Sequence, residues 1–82
     1  MKVYVILREY CNNVSCVRDV YGSRKRAEAE VEYIRSSAVK EGWTIGEDYR
    51  HMDGQPVKCL TIIKDGKKES LTRYYIIPQE VK

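Results

Sequence analysis

Residues Val20 to Ile34, V-Y-G-S-R-K-R-A-E-A-E-V-E-Y-I, constrain the fold more than any other stretch of the chain. β-branched and aromatic residues give way to Gly22-Ser23, after which apolar residues recur at helical spacing. Ser23 fits an N-cap, because its hydroxyl can accept from the free amides of a first helical turn. Ala27, Val31, Ile34 and Ala38 follow at intervals of four, three and four, which places them in one narrow stripe. Ala29, Tyr33, Ser36 and Lys40 fall on the opposite side. A stripe that narrow predicts a helix lying on one face of a sheet, ending near Lys40 with Gly42 as its C-terminal stop.

The rest of the chain supplies the sheet. Met1–Tyr10 alternates Val3, Val5 and Leu7 against Tyr4, Ile6 and Arg8, as a strand does. Asn12-Asn13 reads as a two-residue turn, since Asn tolerates positive φ, and Val14–Tyr21 as the returning strand. Gly42–Gly46 reads as a connection whose Trp43 folds under the helix end. Glu47–Met52 reads as a short edge strand before an Asp53-Gly54 turn, and Val57–Lys64 as a strand that turns at Lys64-Asp65-Gly66-Lys67. Lys68–Ile77 returns, with Pro78 closing it. Pro56 belongs at a strand start or an edge, because it cannot donate to a ladder. The expected fold is α+β: one antiparallel sheet of four or five strands, ββαβββ or ββαββ, with one amphipathic helix on one face.

Eighty-two residues predict a single compact domain with one thin core. Hydrophobic residues at 43% and charged residues at 33% argue against disorder. No apolar run approaches the ~20 residues of a membrane span, the longest being Val3–Leu7 before Arg8-Glu9. The N-terminus begins like a signal peptide, but its apolar stretch is too short and alternates like a strand. The expectation is a cytoplasmic protein with no membrane partner.

The three cysteines, Cys11, Cys16 and Cys59, cannot all pair within one chain. With a two-residue Asn12-Asn13 turn, Cys11 faces Val14 and Cys16 faces Glu9, so the two thiols are diagonal neighbours beyond disulfide reach. Reduced, mostly buried thiols are expected. Together with His51 the cysteines form a legal zinc ligand set in kind and number, but their spacing lacks the usual knuckle pattern, and neither metal nor cofactor is expected.

The hairpin K-V-Y-V-I-L-R-E-Y, then V-R-D-V-Y-G-S, then R-K-R-A-E-A-E-V-E resembles short uncharacterised proteins of Gram-positive bacteria and their phages. The resemblance spans roughly residues 2–42. It implies a ββα-type start and a mobile-element origin, phage or prophage. It brings no catalytic residues.

Catalysis finds little support in the residue types. His51 is the only histidine, and it stands in a polar segment, Tyr49-Arg50-His51-Met52-Asp53, without a nucleophile motif. Glu28, Glu30 and Glu32 read as a solvated helical face, with Arg24–Glu28 and Arg26–Glu30 as i,i+4 pairs. The five glycines are dispersed singly, so no phosphate loop is present.

Two surface features remain. Arg24-Lys25-Arg26 opens the helix, where the macrodipole disfavours cations and free amides favour anions. The aromatic set is seven tyrosines, one tryptophan and no phenylalanine, which suggests rings half in and half out of water. Tyr33 falls on the outer helix face, and Tyr74-Tyr75 put one ring on each face of the last strand. Tyr and Arg are interface-prone types.

Partner-binding candidates are therefore Arg24, Lys25, Arg26, Tyr33, Lys64, Lys67, Lys68, Arg73, Tyr74 and Tyr75. The net charge of +3 is modest, and acids are interleaved throughout. The leading expectation is a non-catalytic protein-binding module, a phage- or prophage-type factor that modulates a host protein, as in host-defence modulation, through the open sheet face or an exposed strand edge. A homodimer through that face is its variant. The alternatives are a nucleic-acid-binding module using the 24–26 and 64–68 basic clusters, and a small ligand binder or enzyme centred on His51.

Overall fold

The structure, a computed structural model, describes residues 1–10, 14–64, 66 and 70–81. Its elements run β1 (Lys2–Tyr10), β2 (Ser15–Tyr21), α1 (Arg24–Lys40), β3 (Thr44–Met52), β4 (Gln55–Ile63) and β5 (Leu71–Glu80). The ββαβββ order is as the sequence predicts. Every ladder is antiparallel, and the strands lie side by side as β2-β1-β5-β4-β3. The helix leaves one edge strand and enters the other, so α1 must cross the whole sheet on one face.

The helix forms where its caps allow. Ser23 Oγ accepts from Arg26 N at 3.2 Å, as an N-cap should. At the other end Gly42, at φ +76, turns the chain, while Gly42 N donates to Val39 O and Trp43 N to Ala38 O, both at 3.0 Å. That pair of bonds is a Schellman closure, and the positive φ is why glycine stands there. The closure carries Trp43 back under the helix end, against the core. Ala27, Ile34 and Ala38 are buried and Val31 is half-buried, while Ala29, Tyr33, Ser36 and Lys40 are exposed. The two buried alanines let the helix lie close on the sheet. Against them pack Ile6, Leu60, Ile62 and Tyr74, with Tyr4, Tyr21, Ile45 and Ile76 around the margin.

Several boundaries differ from expectation for local reasons. β3 begins at Thr44 rather than Glu47, because Thr44–Gly46 pair with Thr61–Ile63. Asp53 and Gly54, at φ 52 and 78, form the tight turn that joins β3 to β4. β5 runs through Pro78 instead of stopping before it. Val81 N donates to Met1 O at 2.7 Å, so odd-numbered residues exchange the β1–β5 hydrogen bonds, and Tyr4↔Pro78 is a non-bonded pair. The missing N–H of Pro78 therefore points away from β1, where the β4 pairing has already ended at Cys59↔Tyr75.

The first hairpin also departs in register. Glu9 pairs with Ser15 and Arg8 with Cys16, one residue off the Glu9–Cys16 pairing that a two-residue turn requires. Asn12, Asn13 and Cys11 themselves lie outside the described residues. Farther along, the register shifts between Ile6 and Leu7, and Arg18 is the extra residue of a β-bulge. Val17 and Val20, three apart, thereby share one face with Leu7 and Val5. Arg18 turns to the helix side and pairs with Glu30 at 2.9 Å. The last turn falls partly outside the description: Lys64 and Gly66 are described, Asp65, Lys67 and Lys68 are not.

A second bridge ties the helix to the far edge of the sheet. Glu47 Oε1 accepts from Arg35 at 2.8 Å and lies 3.3 Å from Lys58 Nζ. The Arg35 hydrogen bond, then that of Lys58, holds the Glu47 carboxyl below its ordinary pKa. A carboxyl depressed in the folded state stabilises above its unfolded value and loses that contribution as pH falls through the folded one. Stability should therefore decline below about pH 4.5, and Glu47→Gln should flatten that decline in urea titrations run at successive pH values. An unchanged slope would show that this bridge contributes nothing.

Candidate functional site

The face of the sheet opposite α1 has no covering layer among the described residues. Its positions follow from the registers: Val5 stands beside Val20 and Ile77, Leu7 beside Val17 and Tyr75, Glu9 beside Ser15 and Arg73, and Cys59 beside Tyr75. Val5, Leu7, Val17, Val20, Cys59, Tyr75 and Ile77 make a continuous apolar stretch of this face, and Glu9, Ser15 and Arg73 a polar end. Val17 and Val20, at 60% and 50% exposure, stand out toward solvent at the β2 edge. Toward the middle the burial deepens with no layer on top among the described residues: Tyr75 is 4% exposed and Cys59 fully buried.

Glu9 explains that burial. Its carboxylate is 3% exposed, and Oε1 takes an ion pair from Arg50 Nη1 and a longer one, at 3.5 Å, from Arg73 Nη1. Arg73 is its neighbour on β5, but Arg50 belongs to β3, with β5 and β4 between. Three strand spacings of about 4.8 Å make roughly 14 Å, more than two extended side chains bridge across a flat sheet. The sheet must curl toward this face, which makes it a concave apolar trough with a clamped carboxylate at its floor. Burial pushes the Cys59 thiol pKa up, so at neutral pH the group is a protonated, weakly nucleophilic apolar filler.

Both edges of the sheet are partly blunted. Val20 and Tyr49 occupy non-bonded pairs on β2 and β3, so their N–H groups point out of the sheet. Each is taken by the preceding aspartate: Val20 N donates to Asp19 Oδ1 at 2.9 Å and Tyr49 N to Asp48 Oδ1 at 2.8 Å. An outward amide already bonded to its own chain is a poor template for an added strand. The trough has no such protection.

The candidates from sequence are scattered over three places. Arg24, Lys25 and Arg26 are exposed at the start of α1. The i,i+4 pairs expected there are not found: Glu30 is taken by Arg18, and the Arg24 guanidinium lies 5.0 Å above the Tyr4 ring. Lys64, by contrast, lies 4.9 Å over Trp43 beyond the other end of the helix. Seventeen residues of helix, about 25 Å, separate the two basic groups. Lys67 and Lys68 lie outside the described residues. Arg73 belongs to the trough, held by Glu9. Tyr74 and Tyr75 do take opposite faces, but both are buried instead of half wet. Tyr33 is exposed, and so is His51, opposite Pro56 on β3.

A groove of about 470 Å³ lies between the first half of α1 and β4–β5, floored by Val31, Leu60 and Ile76. Its rim carries Arg24, Arg35 and Lys58, but also Glu28 and Glu32, and Arg35 is already paired with Glu32 and Glu47. Among the described residues no three His, Cys, Asp or Glu side chains converge as a metal centre requires. No described helix is long and apolar enough to cross a membrane. Comparison of the chain with protein-family models, with curated proteins and with solved structures finds no match.

Sequence reasoning missed Glu9 and the bulge. The signal for Glu9 was present in parity, since it continues the Val3, Val5, Leu7 series at a position where the alternation calls for an apolar side chain. A double replacement Arg24→Ala, Arg26→Ala should change stability by less than about 0.5 kcal/mol. The ring contact of Arg24 is worth about 0.5–1 kcal/mol at an exposed site, and relief of the macrodipole offsets a similar amount. A loss above ~1.5 kcal/mol in urea denaturation would mean these side chains hold the helix in place.

Proposed function

We propose that this chain is a small non-catalytic protein-binding module, a factor of phage or prophage type that modulates a host protein. The observation that carries the reading is the concave trough opposite α1, apolar from Val5 to Ile77, uncovered among the described residues, with Val17 and Val20 presented at its rim. Exposed apolar surface of this kind mostly marks a contact with another molecule. The aspartate-capped edges favour binding through the face over strand addition. Of the basic residues in the nucleic-acid alternative, the described ones, Arg24, Lys25 and Arg26 against Lys64, lie at opposite ends of the helix.

A photo-crosslinking residue placed at Val17 or Val20 tests this in a Gram-positive host. The reading expects one discrete protein adduct from these positions and none from Ala29 on the outer helix face. An adduct of twice the 9.6 kDa chain mass would identify a second copy as the occupant, the homodimer variant. Equal labelling from Ala29, or none from either valine, sinks the trough as an interface.

A further inference from the structure

We infer that a second site, on the helix side of the sheet, binds a phosphate group borne by a ligand with a flat ring. It is a cleft of about 200 Å³ between α1 and the Trp43 end of the sheet, lined by Arg8, Arg18, Lys64, Tyr33, Trp43 and Tyr74, with Ser37 and Thr72 adding hydroxyls. Among the described residues no carboxylate lines it.

Arg8 makes the case. It projects from the interior strand β1 toward the helix side, where Arg8 Nε is buried without a hydrogen-bond partner. Its Nη2 reaches only the Cys16 sulfur at 4.0 Å, its guanidinium lies 5.4 Å from the Tyr10 ring, and the Tyr74 hydroxyl is its other neighbour. Among the described residues no carboxylate lies within 4.0 Å of Arg8 or of Lys64, whereas Arg18 brings Glu30 with it. Glu9, the next residue on the same strand, has two arginines. A half-buried guanidinium without a counter-charge is costly, and a phosphate oxyanion supplies both the charge and an acceptor for Nε.

The partner chemistry follows from what surrounds the charge. Guanidinium forks match phosphate oxygens bidentately, and a lysine adds a point charge. The cleft volume is several times the ~30 Å³ share of one water, so it admits a phosphate with part of what it is attached to. Tyr33 and Trp43 offer ring surface at its mouth, suited to a base or another flat group. A free nucleotide and a nucleotide within a single strand present that same chemistry. The site is separate from the trough, which lies on the other face, so either reading can fail without the other.

Trp43 is the only tryptophan of the chain, and its emission reports the cleft directly. Adenosine monophosphate should shift or quench it saturably, adenosine without the phosphate should not, and Lys64→Gln should weaken binding by about tenfold. Arg8→Gln should abolish it, with far-UV circular dichroism confirming the fold; should that variant not fold, the exposed Lys64→Gln decides alone. A single-stranded oligonucleotide that binds much more tightly than the mononucleotide, and loses affinity steeply between about 50 and 200 mM salt, identifies the strand as source. Equal affinities identify the free nucleotide. No response to mononucleotide or oligonucleotide, or undiminished binding by Lys64→Gln, overturns the site.

Discussion

Ile34→Asp should unfold the protein outright, with loss of the cooperative urea transition at 25 °C. Ile34 is 9% exposed at the centre of the α1 stripe, packed among Ile6, Ile62 and Tyr74. Removing the isoleucine side chain alone costs about 2–5 kcal/mol, and an unpaired carboxylate in its place adds several more or forces protonation. A domain of this size has roughly 5–12 kcal/mol to lose. The sum reaches that ceiling because α1 is the only helix among the described residues: once its stripe is disrupted, no second described layer holds Leu60, Ile62 and Tyr74 out of water. The control is Tyr33→Asp one residue away, on the exposed side, which should cost under about 1 kcal/mol. Similar melting of both variants would place the helix in the wrong phase.

The contrast between those two substitutions also marks what the sequence could reveal. The helix was legible because its determinants are local: Ser23 caps within three residues, Gly42 closes within five, and the stripe repeats within one element. Strand existence was legible for the same reason. Register was not. A bulge at Arg18 depends on how β2 meets β1, and the spacing of Val17 and Val20 hints at it only once a shared face is assumed. Pro78 was misread because a proline is a stop only where both sides of a strand are paired, and the early end of the β4 pairing is a fact about tertiary arrangement. Two of the seven tyrosines were misread by composition, while Tyr4, Tyr10, Tyr21, Tyr33 and Tyr49 are half-buried or exposed as expected. With no phenylalanine in the chain, Tyr74 and Tyr75 serve as core rings, which the absence of a competitor should have suggested.

Glu9 is the deepest of these non-local features, since its partners come from 41 and 64 residues away. Its energetics should be markedly asymmetric. Replacing both arginines, Arg50→Met with Arg73→Met, leaves the carboxylate at 3% exposure with no cation, and breaking a buried pair from one side costs about 3–5 kcal/mol. Glu9→Leu should cost less, about 1–2 kcal/mol, because side chains at 38% and 24% exposure can swing their guanidinium groups into solvent. The triple variant Glu9→Leu, Arg50→Met, Arg73→Met should recover most of the double variant's loss, since apolar replacements of a buried ion cluster are often neutral or stabilising. The measurement is urea denaturation of all three, read as a cycle. If the triple variant is no more stable than the arginine double variant, the loss comes from packing and the cluster is not an electrostatic device. If it is as stable as the native chain or more so and still folds as one cooperative unit, retention of the charges has to be explained by something other than folding, and the floor of the trough becomes a place where a partner's own charge meets Arg50 or Arg73.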